Sequence, residues 1–236
     1  MAFRTGLTTA QRRMLVIGLV PLLLLVAGGA AVAVGSIRGH IEYNYSQTFA
    51  PAAQGVSVVS DVPVNVRASM DDRVHVDAGG SYAVAQPTVD VSTIGGQLEV
   101  RVFCSDIHCE ADVAVAVPGG IPVRVKTEHA SIDVVGTTGP LTVDTSDGSV
   151  DMAQLRSKQV AVNCRRGSIT LFFADAPDQV TASSTDGSLT VQVPQSARYA
   201  LDAVATQGST DLEIPTDPSA SRHLHLRTRN GSITVH

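Results

Sequence analysis

Cysteine, histidine and carboxylate are the side chains through which this 236-residue sequence could do chemistry, and they are few: 3 Cys, 7 His and 22 Asp or Glu. Cys104 and Cys109 bracket a short run that also holds Asp106 and His108. In an exported domain that spacing reads as a loop-closing disulfide. A metal site through Asp106 and His108 competes with it, although structural zinc sites take four ligands at recognised spacings. Cys164 falls in a column of small residues, where a free cysteine behaves as a small hydrophobe. His223 and His225 stand two apart and could share a metal, but no third ligand is evident, so a solvated strand face is the expected reading. The Gly-Ser pairs lack the context of a nucleophile elbow. Asp147-Gly148 and Asp186-Gly187 lack the spacing of calcium-binding repeats. We therefore assign no catalytic, cofactor-binding or metal-ligating residue, and expect no cofactor.

What positions these residues is a repeat. The segments Val123–Val134, Leu141–Met152, Val160–Leu171, Val180–Val191, Leu201–Leu212 and Leu224–Val235 align without a gap, with Val89–Val100 as an earlier copy and Val56–Val66 as a degenerate start. Their turn column is Gly96, Ala130, Gly148, Gly167, Gly187, Gly208 and Gly231, and from Ala130 onward the steps are 18, 19, 20, 21 and 23 residues. Residues seven, five and three before the turn are apolar or small, those between are mostly polar, and the second and fourth after it are again apolar. Such alternation marks strands with one buried face. Glycine at the turn supplies the positive φ of a sharp corner, and Ala130 departs from that rule. Two architectures satisfy the columns. Successive copies stack in parallel about 4.8 Å apart in a β-solenoid, or each copy folds on itself in a meander or sandwich of hairpins. Identity down the columns favours an all-β solenoid of about seven 18–23-residue repeats. The residue after each turn is Ser131, Ser149, Ser168, Ser188, Ser209 or Ser232, read as a turn serine bonding nearby backbone, with an exposed polar ladder as the alternative.

The hydrophobic content, 44% in total, is unevenly distributed. Met14–Gly35 carries no charge over 22 positions, long enough to cross a ~30 Å hydrocarbon core as a helix. Arg4, Arg12 and Arg13 precede it, so the positive-inside rule puts the N-terminus in the cytoplasm and the remainder outside. A cleaved signal peptide ending near Ala31-Val32-Ala33 is the competing reading, but the apolar run exceeds the usual h-region. The expected organisation is a cytoplasmic tail (1–13), a transmembrane signal-anchor helix (14–35), a juxtamembrane stalk (36–55) and an exported repeat domain (56–236). Outside the cell the charge is then 14 − 22 = −8, against −5 for the whole chain. That acidic body excludes a nucleic-acid partner, which would need surplus Lys and Arg.

Residues 56–236 resemble the bacterial adhesin-like family of β-strand repeat proteins, a domain of unknown function. Thr145-Ser-Asp-Gly-Ser-Val-Asp-Met152 and its copies, the opening Ser60-Asp-Val-Pro-Val-Asn-Val66 and the single N-terminal anchor carry the resemblance. It implies a toast-rack-like domain in the cell envelope and brings no catalytic residues with it. The function expected is non-enzymatic: adhesion, scaffolding or envelope sensing at the plasma membrane, through an envelope protein or surface glycan. A carbohydrate-active solenoid enzyme or glycan-binding module is the alternative, and the enzyme would need Asp144, Asp151 and Asp211 to converge. The last copy ends at Val235-His236 without a capping segment, so self-association through that uncapped coil is a further expectation.

Overall fold

A computed structural model describes residues 41–105 and 109–236, together with Val20, Leu22, Leu23, Leu25 and Val26. The expected tail and most of the expected anchor, as well as Asp106 and His108, lie outside the described residues. Among those described, no helix is long and apolar enough to cross a membrane. The chain divides into two compact units, Met1–Ile41 and Glu42–His236, and the account below concerns the second.

This unit is all-β. Its first half contains β1 (Ile41–Phe49), β2 (Gly55–Ser60), β3 (Val64–Ala68), β4 (Val74–Tyr82), β5 (Thr88–Ile94), β6 (Gln97–Phe103), β7 (Glu110–Val117), β8 (Val123–Thr127) and β9 (Ile132–Val135). Its second half contains β10 (Leu141–Asp147), β11 (Val150–Leu155), β12 (Gln159–Arg166), β13 (Ile169–Phe173), β14 (Gln179–Asp186), β15 (Leu189–Gln192), β16 (Ala200–Gln207), β17 (Thr210–Leu212), β18 (His223–Asn230) and β19 (Ile233–Val235). They form two sheets, ordered β1-β4-β7-β3-β9-β11-β13-β15-β19-β17 and β16-β18-β14-β12-β10-β8-β2-β6-β5.

The six aligned copies pair in parallel, column on column. Leu141 lies beside Val123 and Val160, and Val150 beside Ile132 and Ile169. Each copy is thus one rung, its two strands on different sheets and its turn at the corner between them, as in a solenoid. Inward residues such as Leu141, Val143, Val150 and Met152 are buried in one continuous core. Val56–Val66 is a full rung as well, since β2 pairs with β8 and β3 with β9.

Val89–Val100 follows the hairpin alternative instead. β5 runs antiparallel to β6, with Ile94 opposite Gln97. Gly95 and Gly96 take φ of 60° and 82°, the two positive values of a tight type I′ turn. The rung in this region is β6 with β7, which stack in parallel on β2 and β3. At this end each sheet carries a reversed strand, β5 against β6 and β4 against β7, with β1 lying beyond β4. Residues 41–49, placed in the expected stalk, are strand β1, with Tyr43 and Tyr45 packed against the core.

The final copy is also not where the sequence order puts it. β18 lies between β14 and β16, and β19 between β15 and β17. The expected uncapped end at Val235 is therefore interior, and the terminal rung is β16–β17. Side-chain size accounts for the exchange. The last copy points Leu224, Leu226, Ile233 and Val235 inward, all 0% exposed, whereas β16 offers Leu201, Ala203 and Ala205, only partly buried. Covering the larger set on both sides gains about 0.8 kcal/mol per additional buried methylene.

Candidate binding surfaces and corner ladder

At the corner, the repeat's smallest residues do matching work. Gly148, Gly167, Gly187, Gly231 and Gly208 have φ between +139° and +157°, and each is stacked on its neighbour's turn backbone. A Cβ on Gly187 would lie 2.0 Å from the Gly167 carbonyl oxygen. The column three residues earlier hydrogen-bonds the corner carbonyls: Cys164 Sγ donates to Gly148 O (3.4 Å), Ser184 Oγ to Gly167 O (3.1 Å) and Thr228 Oγ1 to Gly187 O (2.8 Å). Thr127 donates to Ala130 O (3.2 Å) and to Thr145 Oγ1 (2.9 Å). Ala130 is not among the positive-φ residues and is buried. Cys164 is buried too, and burial first, then the Asp147 carboxylate, pushes its thiol pKa up. That is the opposite of what a reactive thiol needs.

Outward residues of the same strands form straight rows. On the ten-stranded sheet, one row reads Asn65, Asp133, Asp151, Thr170, Thr190, Thr234, Asp211 by direct register. The turn serines form the adjoining row in the order Ser131, Ser149, Ser168, Ser188, Ser232, Ser209. Their backbone carbonyls accept from the neighbouring rung, as in Ile169 N to Ser188 O. At the terminal end their hydroxyls also connect, Ser209 Oγ donating to Ser232 Oγ at 3.0 Å. The central stretch thus displays Ser168 and Thr170, Ser188 and Thr190, and Ser232 and Thr234 as paired hydroxyl columns.

Beside the corner on the nine-stranded sheet, Asp147, Arg166, Asp186, Asn230 and Gln207 make a charged and amide row. Arg166 clamps Asp147 through Nε and Nη2, and this bond foremost, helped by the Arg165 and His129 charges, holds the Asp147 carboxyl below its usual range. Arg227 does the same for Asp202, with His225 adding to it. His223 and His225 are exposed on this sheet with rings stacked 6.2 Å apart.

The three carboxylates an enzyme would need do not meet. Asp144 projects from the nine-stranded sheet; Asp151 and Asp211 project from the other, separated by the Thr170, Thr190 and Thr234 strands. Cys104 and Cys109 are joined, with Cα atoms 5.8 Å apart, and close the corner between β6 and β7. Cys104 N donates to Asp61 Oδ1 of the next rung at 3.0 Å.

One cluster was invisible in the repeat because its members come from outside it. Asp71 Oδ1 lies 2.9 Å from His75 Nε2, and His75 Nδ1 lies 3.1 Å from Thr48 Oγ1. Ser46 of β1 meanwhile donates to Asp77 at 2.6 Å. Together they fasten β1 to β4 beside a cleft of about 450 Å³ lined by Arg67, Met70 and Ala116. Hydrogen bonding from His75 first, then Ser69, lowers the Asp71 pKa to about 2. The sequence signal for this cluster was limited to the i, i+4 spacing of Asp71 and His75.

Parallel in-register rungs, glycine corners and flat polar faces define an all-β repeat domain of the toast-rack class. Residues 120–236 match the family described as Toastrack DUF4097. The match starts where the regular rungs start; the hairpin and the reversed strands precede it. No curated protein matches the chain. A putative cell adhesion protein from Clostridium sporogenes shares the fold, with a TM-score of 0.52 at 11% identity, over 83% of this chain and 99% of that one. A putative adhesin from Bacteroides fragilis aligns over 82% of this chain and 97% of its own at 12% identity and a TM-score of 0.49.

Proposed function

We infer that this is a non-enzymatic component of the bacterial cell envelope that works by binding another protein or a surface, in adhesion, scaffolding or envelope sensing. Residues 14–35 act as its single-pass signal-anchor, with the N-terminus cytoplasmic and a solenoid of about seven repeats held outside the plasma membrane. The uncharged run after Arg12-Arg13 supports the anchor.

The binding role rests on one observation: the Ser and Thr/Asp rows of the ten-stranded sheet stand in register on an outward face. Protein partners use such extended surfaces, about 800 Å² per side, whereas small-molecule chemistry favours concave pockets with convergent polar groups. The separation of Asp144, Asp151 and Asp211 points the same way. The Clostridium sporogenes neighbour is described as a putative cell adhesion protein, which is consistent with this role.

Binding of the domain to isolated envelope fractions tests the reading. Thr190→Arg, in the centre of the hydroxyl rows, should reduce retention at least tenfold, while Thr181→Arg on the opposite sheet should leave it unchanged. Equal retention by both variants would refute the assignment of this face.

A further inference from the structure

Beside the hydroxyl columns of the ten-stranded sheet runs a row of different chemistry. By register it comprises Val135 of β9, Ala153 of β11, Phe172 of β13 and Gln192 of β15. Val135 is 45% exposed and Phe172 40%, and Gln192 is exposed at the end of its strand. β11 bulges at this row. Met152 pairs with Leu171 and Leu155 with Phe173, so Ala153 and Gln154 together oppose Phe172. Gln154 takes a φ of 53°, the only positive value of a non-glycine residue among those described. Bulges re-aim side chains beside functional sites, and a non-glycine residue in the left-handed region persists only where its surroundings hold it there. The result here is local: Leu155 returns to the core while Gln154 stays exposed. A carboxamide residue therefore stands in register on each side of Phe172.

These groups have a ligand chemistry in common. An exposed phenyl ring offers an apolar, electron-rich face against which C–H groups pack, and carboxamides and hydroxyls both donate and accept hydrogen bonds. Thr170 and Thr190 form the adjoining row and Ser168 and Ser188 the next. None of these residues is charged, so an ionic ligand gains no Coulomb attraction from them. A neutral pyranose matches the set, with C–H groups on its ring faces and hydroxyls around its rim. Adjacent strands are about 4.8 Å apart, close to the length of one sugar in an extended β-1,4-linked chain. Such a chain laid across the rungs meets an apolar track on one side and hydroxyls on the other at every step. An α-1,4-linked chain curls and loses that register. A protein hot spot instead centres on a Trp, Tyr or Arg anchor sunk in a desolvated pocket, whereas Phe172 stands on an open sheet face.

We propose that Phe172, with Gln154 and Gln192 beside it, is the centre of a binding site for a neutral, extended β-1,4-linked glycan. The site rests on the assignment of this sheet as the binding face and names what that face takes.

The full chain in lipid nanodiscs, titrated with hexamers of β-1,4-linked glucose and of β-1,4-linked N-acetylglucosamine and followed by ligand-observed NMR, tests it. At least one hexamer should bind. F172A should weaken that binding about tenfold or more, and F172Y should retain it. F103A, which removes an equally exposed phenyl ring from the nine-stranded sheet, should leave it unchanged, and a hexamer of α-1,4-linked glucose should not bind. Binding of neither β-linked hexamer, equal effects of F172A and F103A, or equal binding of the α-linked hexamer would each overturn the proposal. If neither hexamer binds while Thr190→Arg still reduces retention on envelope fractions, the partner is a protein: the glycan assignment then fails and the face assignment stands.

Discussion

Gly187 shows how tightly a single residue is specified. Its φ of +157° and the 2.0 Å approach that a Cβ would make to the Gly167 carbonyl leave no room for a side chain. Gly187→Ala should cost upward of about 1–3 kcal/mol of strain and displaced packing, read from the urea midpoint. Gly79→Ala, where a Cβ meets nothing within 4 Å and φ is not positive, should be nearly neutral. Thr228→Val keeps the shape but leaves the Gly187 carbonyl without its donor, an expected loss of about 1–3 kcal/mol. The exposed Asp71 gives a pH signature. Its folded pKa, lowered to about 2 from 3.8, means that its contribution is fully present above pH ~4 and lost as pH falls toward 2. The stability difference between the wild type and Asp71→Asn should therefore vanish as pH falls across that window.

At the scale of elements, the sequence was most informative where neighbours are equivalent. Leu141, Val143, Val150 and Met152 announce their burial by alternation, and the regular steps announce stacking. The order of the last two rungs was not legible, because every copy satisfies the same columns and any could sit beside any other. A trace of it existed in the longer steps of 21 and 23 residues, which lengthen the connections that must skip a rung and return. Val89–Val100 misled for the related reason that an X-Gly corner and a two-residue hairpin put flanking residues on one face. The Thr48, Asp71 and His75 cluster follows no period at all. Amide exchange distinguishes the two rung orders. Leu224, Leu226, Ile233 and Val235 should exchange at least tenfold more slowly than β16 and β17, although they end the sequence. Faster exchange at the C-terminal copy would restore it to the edge.

For the whole molecule, the composition acquires a spatial meaning. The acidic excess and the scarcity of aromatics describe a narrow core of small branched side chains wrapped in polar rows, with hydrophobic content set aside for the segment 14–35. The resemblance noted from Val56 onward holds in the family match from residue 120, and the earlier part supplies the reversed strands that close one end. On the function proposed above, what matters at this scale is which face meets the envelope. A photo-crosslinking residue placed at position 190 of the full chain in living cells measures that contact most directly. The account predicts a discrete adduct with an envelope component from position 190 and none from position 181. No adduct at 190, or the same adduct from both sheets, would contradict it.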